Sequence, residues 1–390
     1  VRLGFIALLL VACSGGAPES ARHPDADRAS PSPTPADEKT ARPTTLSPAA
    51  ETMRKKLAAL ATGAELAFGH EDTTAYGVGW QGDSDRSDVK SLCGHHAAVH
   101  GWDLGDLEKS PRNLDGVPFE TIRRLIVDAH RRGIMNTVSV HLDNPVSGGD
   151  AWDTTHAVSA LVPGGARHSE YRALLDRIAE FFRSLRSDDG TLVPILFRPF
   201  HEHNGNWFWW GRAHATDAEY VALFRFTVSY LRGERRLDNL LVAFSPGAAN
   251  VETEADYFFR YPGDDVVDVF GLDHYYGNDA SELVHAVELA VTAAEHRGKI
   301  AALTEFGVHR GLSNPLVDVE HWFTRKFLEP LLESPKARGL SYALAWRNAN
   351  PEHFFVPYPG HAAAPDFQAF CAAPEILLEG DIAPSPGPKD

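Results

Sequence analysis

The chain has no apolar run long enough to cross a bilayer. Its longest, "LGFIALLLVA" from Leu3 to Ala12, covers about ten residues where a spanning helix needs roughly twenty. Long blocks of one charge sign are also missing. The formal charge of −16 comes from 53 acidic and 37 basic residues scattered over 390 positions. That pattern excludes the concentrated basic face of a nucleic-acid binder and suits a neutral substrate. Cysteine is scarce, with only Cys13, Cys93 and Cys371. Residues 14–48 contain no aromatic side chain and one large aliphatic, Leu46, among seven prolines. Such a segment cannot bury enough apolar surface to offset its ordering entropy, so a disordered linker is expected there.

A single early cation, Arg2, precedes the short apolar run, which reads as a secretory signal over residues 1–13. "LVAC" at 10–13 resembles the lipobox of bacterial lipoproteins, in which the equivalent of Cys13 becomes the lipidated N-terminus. An ordinary signal cleaved nearby is the alternative. On the lipobox reading the protein is exported and touches the membrane only through that anchor, at the cell surface or in the periplasm. Cys93 and Cys371 then remain, and an oxidising compartment permits their pairing without requiring it.

Residues 49–390 read as one folded domain. Eight short β-rich runs recur at 65–69, 97–104, 134–142, 193–200, 240–246, 266–276, 300–307 and 340–346. Helical patterns lie between them. Tyr171, Leu174, Leu175, Ile178, Phe181, Phe182 and Leu185 mark one apolar face, and Ile122, Leu125, Ile126 and Ala129 another. "TDAE" at 216–219 is a capping box. Strand and helix alternating over this length predict a (β/α)8 TIM barrel, with an open doubly wound sheet as competitor. Polar groups at the ends of many strands, rather than at one switch point, favour the barrel.

Those strand ends read "GHED", "HLDNP", "FHE", "LDHYY", "TEFG" and "AWRN". Two of them, after strands four and seven, carry Glu202 and Glu305, 103 residues apart. Paired carboxylates on rigid strand ends are what glycosidic cleavage needs: one protonates the leaving oxygen and the other attacks or stabilises the anomeric carbon. The acid requires a pKa raised toward ~6 to 7 by desolvation and a neighbouring negative charge. Its partner requires hydrogen-bond donors, for which Arg198 and Tyr275 are candidates. Flat aromatic faces pack on sugar CH groups, and planar polar groups bond the hydroxyls. Trp152, Trp207, Trp346, Arg347, His141 and Asp143 offer that mixture, whereas Trp322 sits in an amphipathic pattern and is expected in the core. Read blandly, Glu202 is a core carboxylate salt-bridged to Arg198. The histidines invite a zinc reading, but their spacing is not H-E-x-x-H.

"RPFHEHNGNWFWWG", "GLDHYY", "LTEFG" and "HLDNPVSGGDAWDT" resemble the matching motifs of glycoside hydrolase family 26, mostly endo-β-1,4-mannanases within the clan of retaining (β/α)8 hydrolases. The resemblance runs from about Gly69 to Arg347. It implies Glu202 as acid/base, Glu305 as nucleophile, Tyr275 as the tyrosine bonded to the nucleophile, and Asp273 as an active-site aspartate. It further implies Trp207 beside the acid/base, Trp346 as the floor under the sugar, and His141 and Arg347 as contacts of the glycone. His201 stands where most of the clan has asparagine, and His203 where many members have methionine. No metal or organic cofactor is implied. The expected partner is a β-mannan polysaccharide or manno-oligosaccharide, bound by a monomer. Mixed-linkage β-glucan or β-1,3-xylan is the alternative substrate, and a non-catalytic glycan-binding lipoprotein the alternative function.

Overall fold

In the computed structural model, residues 45–249 and 251–382 are described; the expected signal, Cys13 and nearly all of the expected linker lie outside them. Eight parallel strands form the wall of a closed barrel: β1 (Leu66–Glu71), β2 (Val99–Asp103), β3 (Met135–Ser139), β4 (Ile195–Arg198), β5 (Leu240–Phe244), β6 (Val269–Tyr276), β7 (Ile300–Val308) and β8 (Leu340–Ala345). Each pairs with the next, and β8 closes on β1 through Ala67 opposite Tyr342 and His70 opposite Ala345. Every one of the eight falls within or beside a β-rich run of the sequence. They are buried on both faces, which is why some, such as β5 and the first half of β7, read as continuous apolar stretches, while β2 and β3 bury polar residues such as His100, Asn136 and Thr137.

The inner faces of the strands pack Ala67, Val99, Met135, Leu196, Leu241 and Ile300 together toward the end where the strands begin. Helix α1 (Pro48–Ala61) closes that end by burying Met53, Leu57 and Leu60 against this cluster. Its start is locally encoded. Pro48 occupies the first turn, Ser47 Oγ accepts from Ala50 N–H, and Ser47 N–H donates to the Asp238 carbonyl at 2.8 Å. The ordered domain therefore reaches into the last residues of the segment expected to be linker.

Outside the barrel, α2 (Asp88–Cys93), α3 (Phe119–Arg131), α4 (His168–Ser184), α5 (Asp217–Ser229), α6 (Ser281–Arg297) and α7 (Ala364–Cys371) bury their apolar faces on the strands. The capping box at Thr216 and Glu219 starts α5 as expected. Trp322 is fully buried, lying nearly parallel to Phe306 and Phe327 at 6.1 and 6.0 Å. Cys93 and Cys371, at the ends of α2 and α7, form a disulfide with Cα atoms 6.0 Å apart. No helix among the described residues is long and apolar enough to cross a membrane.

Candidate active site

At the C-terminal ends of the strands a cleft of about 760 Å³ opens, and both Glu202 and Glu305 line it. The two carboxylates reach it from different local structures. Glu305 lies in the second half of β7, in register with Asp273 on β6. Glu202 follows β4 in a turn where Phe200 and Glu202 both have left-handed backbone, with φ of 48° and 52°. Such backbone is costly for residues with a Cβ and persists only where surrounding contacts over-determine it. Here Glu202 N–H donates to the Ser245 carbonyl at 2.8 Å, Tyr220 Oη to the Phe200 carbonyl at 3.0 Å, and Trp210 Nε1 to the His201 carbonyl at 2.8 Å.

Arg198 proves not to partner Glu202. Fully buried on β4, it spends its guanidinium on Asp273 (Nη1 to Oδ2, 2.7 Å) and Glu305 (Nη2 to Oε2, 2.6 Å). The second Glu305 oxygen, Oε1, accepts from the Tyr275 hydroxyl. Both oxygens of Glu305 thus accept from strong donors that fix the carboxylate's plane. Asp273 is held in turn, since Oδ1 accepts from Ser245 Oγ and Thr304 Oγ1, each at 2.8 Å. A side chain at residue 271 would sit 2.5 Å from Thr304 Oγ1, so Gly271 makes room for that bond. Burial pushes the Asp273 carboxyl up, to about 7, against the opposing charge of Arg198.

Glu202 sits in a different field. Desolvation raises its carboxyl well above the usual range, and the charges of Glu305 and then Asp273 add to the effect. Trp207 Nε1 donates to Glu202 Oε2 at 2.7 Å and opposes part of that rise. The two glutamates are therefore differentiated by surroundings: Glu305, buried, carries two donors, while Glu202, half-buried, carries one and faces negative charge.

The aromatic residues divide. Trp207 is 40% exposed in the cleft, while Trp209 and Trp210 are fully buried beneath the loop. Phe208 is buried yet reaches the cleft wall and stacks on Trp210 at 4.5 Å. Trp152, 43% exposed, lies parallel to His141 at 5.2 Å, and Trp346 tilts against the same imidazole at 5.9 Å. His201 meets His141 edge-on at 4.7 Å, and burial together with the charge of Arg198 drives its ring well below the ordinary histidine range. Arg347 does not line this cleft; it pairs with Asp115 at 3.0 Å. Asp143 pairs with Lys109 at 2.6 Å in an adjoining hollow.

Sequence reasoning missed Asp103. At the end of β2 it accepts from His141 Nδ1 at 2.8 Å, Ser139 Oγ at 2.6 Å and Gly105 N–H at 2.7 Å. Burial pushes its carboxyl up, but His141 and these bonds outweigh it and bring it to about 2. The signal was present, since "HGWDL" also ends a strand with a carboxylate. His203 is enclosed by Tyr220, Phe244 and Phe259, and neither ring nitrogen has a hydrogen-bond partner. Among the described residues no group of three or more His, Cys, Asp or Glu is placed to hold a metal ion.

A closed (β/α)8 barrel with differentiated carboxylates at the ends of β4 and β7 has the architecture of the barrel glycoside hydrolases. The sequence model of glycosyl hydrolase family 26 matches residues 48–318, and the chain belongs to that family. It is 34% identical over 334 residues to a mannan endo-1,4-beta-mannosidase of Bifidobacterium adolescentis, covering 80% of this chain and 33% of that one. It is 30% identical to a Bacillus subtilis enzyme of the same name over 50% of this chain and 54% of that one. The chain thus spans between a third and about half of these curated relatives. The structure of a GH26 beta-mannanase from Bacteroides ovatus superposes with a TM-score of 0.79 at 39% identity, covering 86% of this chain and 96% of that chain. A modular endo-beta-1,4-mannanase from Cellulomonas fimi gives 0.80 at 36% identity, covering 87% and 78%.

Proposed function

We propose that this chain is a retaining β-mannanase acting on β-1,4-mannosidic linkages of mannan, galactomannan or glucomannan. The observation that carries the chemistry is the opposite treatment of the two carboxylates. Glu305, bonded by Arg198 and Tyr275, attacks the anomeric carbon as the glycosidic C–O bond breaks. Glu202 gives its proton to the departing oxygen. The resulting glycosyl ester removes the charge of Glu305, which is the second-largest influence holding the Glu202 carboxyl up after desolvation. Glu202 is then better able to take a proton from water, which attacks the same carbon and releases the sugar with its configuration retained. These steps call for no metal or organic cofactor.

The mannan preference is supported by the names of the relatives, while the exposed Trp152 and Trp207 in the cleft suit a saccharide in general. The deciding experiment is digestion of mannohexaose, galactomannan, lichenan and β-1,3-xylan, with the first anomer followed by proton NMR. Release of β-anomeric manno-oligosaccharides, lost in Glu305→Ala, supports the reading. Faster cleavage of lichenan or xylan, or first release of the α-anomer, refutes it.

Export with a lipid at Cys13 belongs to the same proposal. It is supported by the "LVAC" motif and by the Cys93–Cys371 disulfide, a bond typical of oxidising compartments. Incorporation of labelled palmitate that persists in Cys13→Ala would count against it.

A further inference from the structure

His141 stands among aromatic rings in the cleft, parallel to Trp152 and edge-on to His201 and Phe208. Packing of this kind fixes the plane of an imidazole without deciding which of its nitrogens carries a proton. Among the described residues the ring makes one hydrogen bond, from Nδ1 to Asp103 Oδ2 at 2.8 Å. Nε2 has no protein partner and is not sealed in, so it is the ring nitrogen that the cleft presents to a ligand.

Asp103 is placed to make that bond. It ends β2 directly opposite Ser139 of β3, and Val99 and Met135, four residues earlier on each strand, pack in the barrel interior. Alternation therefore turns Asp103 and Ser139 inward at the mouth. Four donors converge on the carboxylate. Oδ1 accepts from the Gly105 N–H at 2.7 Å and the His141 N–H at 3.2 Å, and Oδ2 accepts from Ser139 Oγ at 2.6 Å and from His141 Nδ1. A Cβ at residue 105 would lie 3.0 Å from Oδ1 and 2.9 Å from the His141 carbonyl oxygen, so Gly105 lets the two segments close on each other. The two bonds at Oδ1 would suffice to tie the strand ends together. The ring bond at Oδ2 goes further: an ionised carboxylate only accepts, so Nδ1 must carry the proton.

We propose that Asp103 is a positioning residue of the glycan site, locking a proton on His141 Nδ1 so that, in the neutral ring, Nε2 meets a sugar hydroxyl as a fixed acceptor. The role at the sugar rests on the hydrolase reading above. The geometry also dictates what an isosteric change would do. In Asp103→Asn the two backbone N–H groups claim the amide oxygen at the Oδ1 position, which puts the amide nitrogen in place of Oδ2. One of its hydrogens then points at Ser139 Oγ, which can turn its own proton to the Trp102 carbonyl at 3.4 Å, and the other at His141 Nδ1. The imidazole must accept there, its proton moves to Nε2, and the cleft is offered a donor where it had an acceptor.

Proton–nitrogen NMR correlations of the ring should show His141 protonated on Nδ1 alone in the wild type and on Nε2 alone in Asp103→Asn. On mannohexaose that variant should lose about tenfold in kcat/KM, the scale of one hydrogen bond. Combined with His141→Ala, it should add less than about twofold to the loss that His141→Ala causes by itself. A merely structural Asp103 would lower activity by the same factor in both backgrounds and leave the tautomer alone, and either result overturns the proposal. So does a wild-type ring protonated on Nε2 alone or on both nitrogens, a measurement that decides even where the variant fails to fold. Wild-type protein with the expected tautomer but no turnover would instead overturn the hydrolase reading, and the sugar contact with it.

Discussion

Replacing Trp207 by phenylalanine should make the enzyme work at higher pH. The indole N–H bonds Glu202 Oε2 at 2.7 Å and favours the ionised form of that carboxyl, against burial and the charges of Glu305 and Asp273. Removing the donor while keeping a ring removes the larger of the two influences that favour ionisation, the charge of Arg198 being the other, and leaves the unfavourable ones in place. A hydrogen bond to a charged group contributes about 1.5–3 kcal/mol, and one pKa unit corresponds to about 1.4 kcal/mol. Trp207 is 40% exposed, so water replaces part of the lost bond. A rise of about 0.5–1 unit is therefore expected. Because the protonated acid is the active form in the first step, its loss sets the alkaline limb of kcat/KM, and that limb should move up by the same amount. The assay is a pH profile on mannohexaose, whose sugar leaving group needs the proton. A limb that stays in place or shifts to lower pH would show that the indole does not tune this carboxyl.

Tyr275→Phe removes a donor from Glu305 without opening the cleft. Turnover should fall about 10- to 100-fold with KM nearly constant, and steady-state kinetics showing an unchanged rate would remove Tyr275 from its proposed role. His203→Met should stabilise the fold, because the present ring is buried with both nitrogens unbonded. Burial lowers that ring from 6.5 to about 3, so the unfolded chain binds the extra proton between those values and stability is lost on acidification through that window. The gain of the methionine variant in thermal melts should accordingly be larger at pH 5 than at pH 8; the reverse order would contradict the burial argument. Cys93→Ser should cost about 2–5 kcal/mol by removing the tie between α2 and α7, and a denaturant midpoint equal to wild type would show the bond to be dispensable.

The barrel was legible because β-rich runs, several of them as apolar as β5, alternate with helical patterns along the chain. The capping box and the faces of α3 and α4 were equally local signals. Contacts closed by distant chain segments were harder to read. Nothing near Arg198 tells whether its charge serves Glu202, four residues away, or Asp273 and Glu305 across the barrel, and the latter pairing holds. The same limit hid Asp103, whose partner His141 comes from the next strand. Within the aromatic run, four successive rings look alike in sequence. The fold of the loop after β4 leaves Trp207 facing the cleft while Trp209 and Trp210 go under it. The pairing of Cys93 with Cys371 was likewise open until the closing of β8 on β1 brought their helices together.

The placement of α1 has a mechanical consequence. The described chain begins at residue 45 and passes under the barrel, against the end where the strands start, while the cleft opens at the end where they finish. Any load carried by chain upstream of residue 45 is transmitted into the pole opposite the catalytic mouth. A bulky fusion partner joined at this point should be tolerated without narrowing access to the cleft.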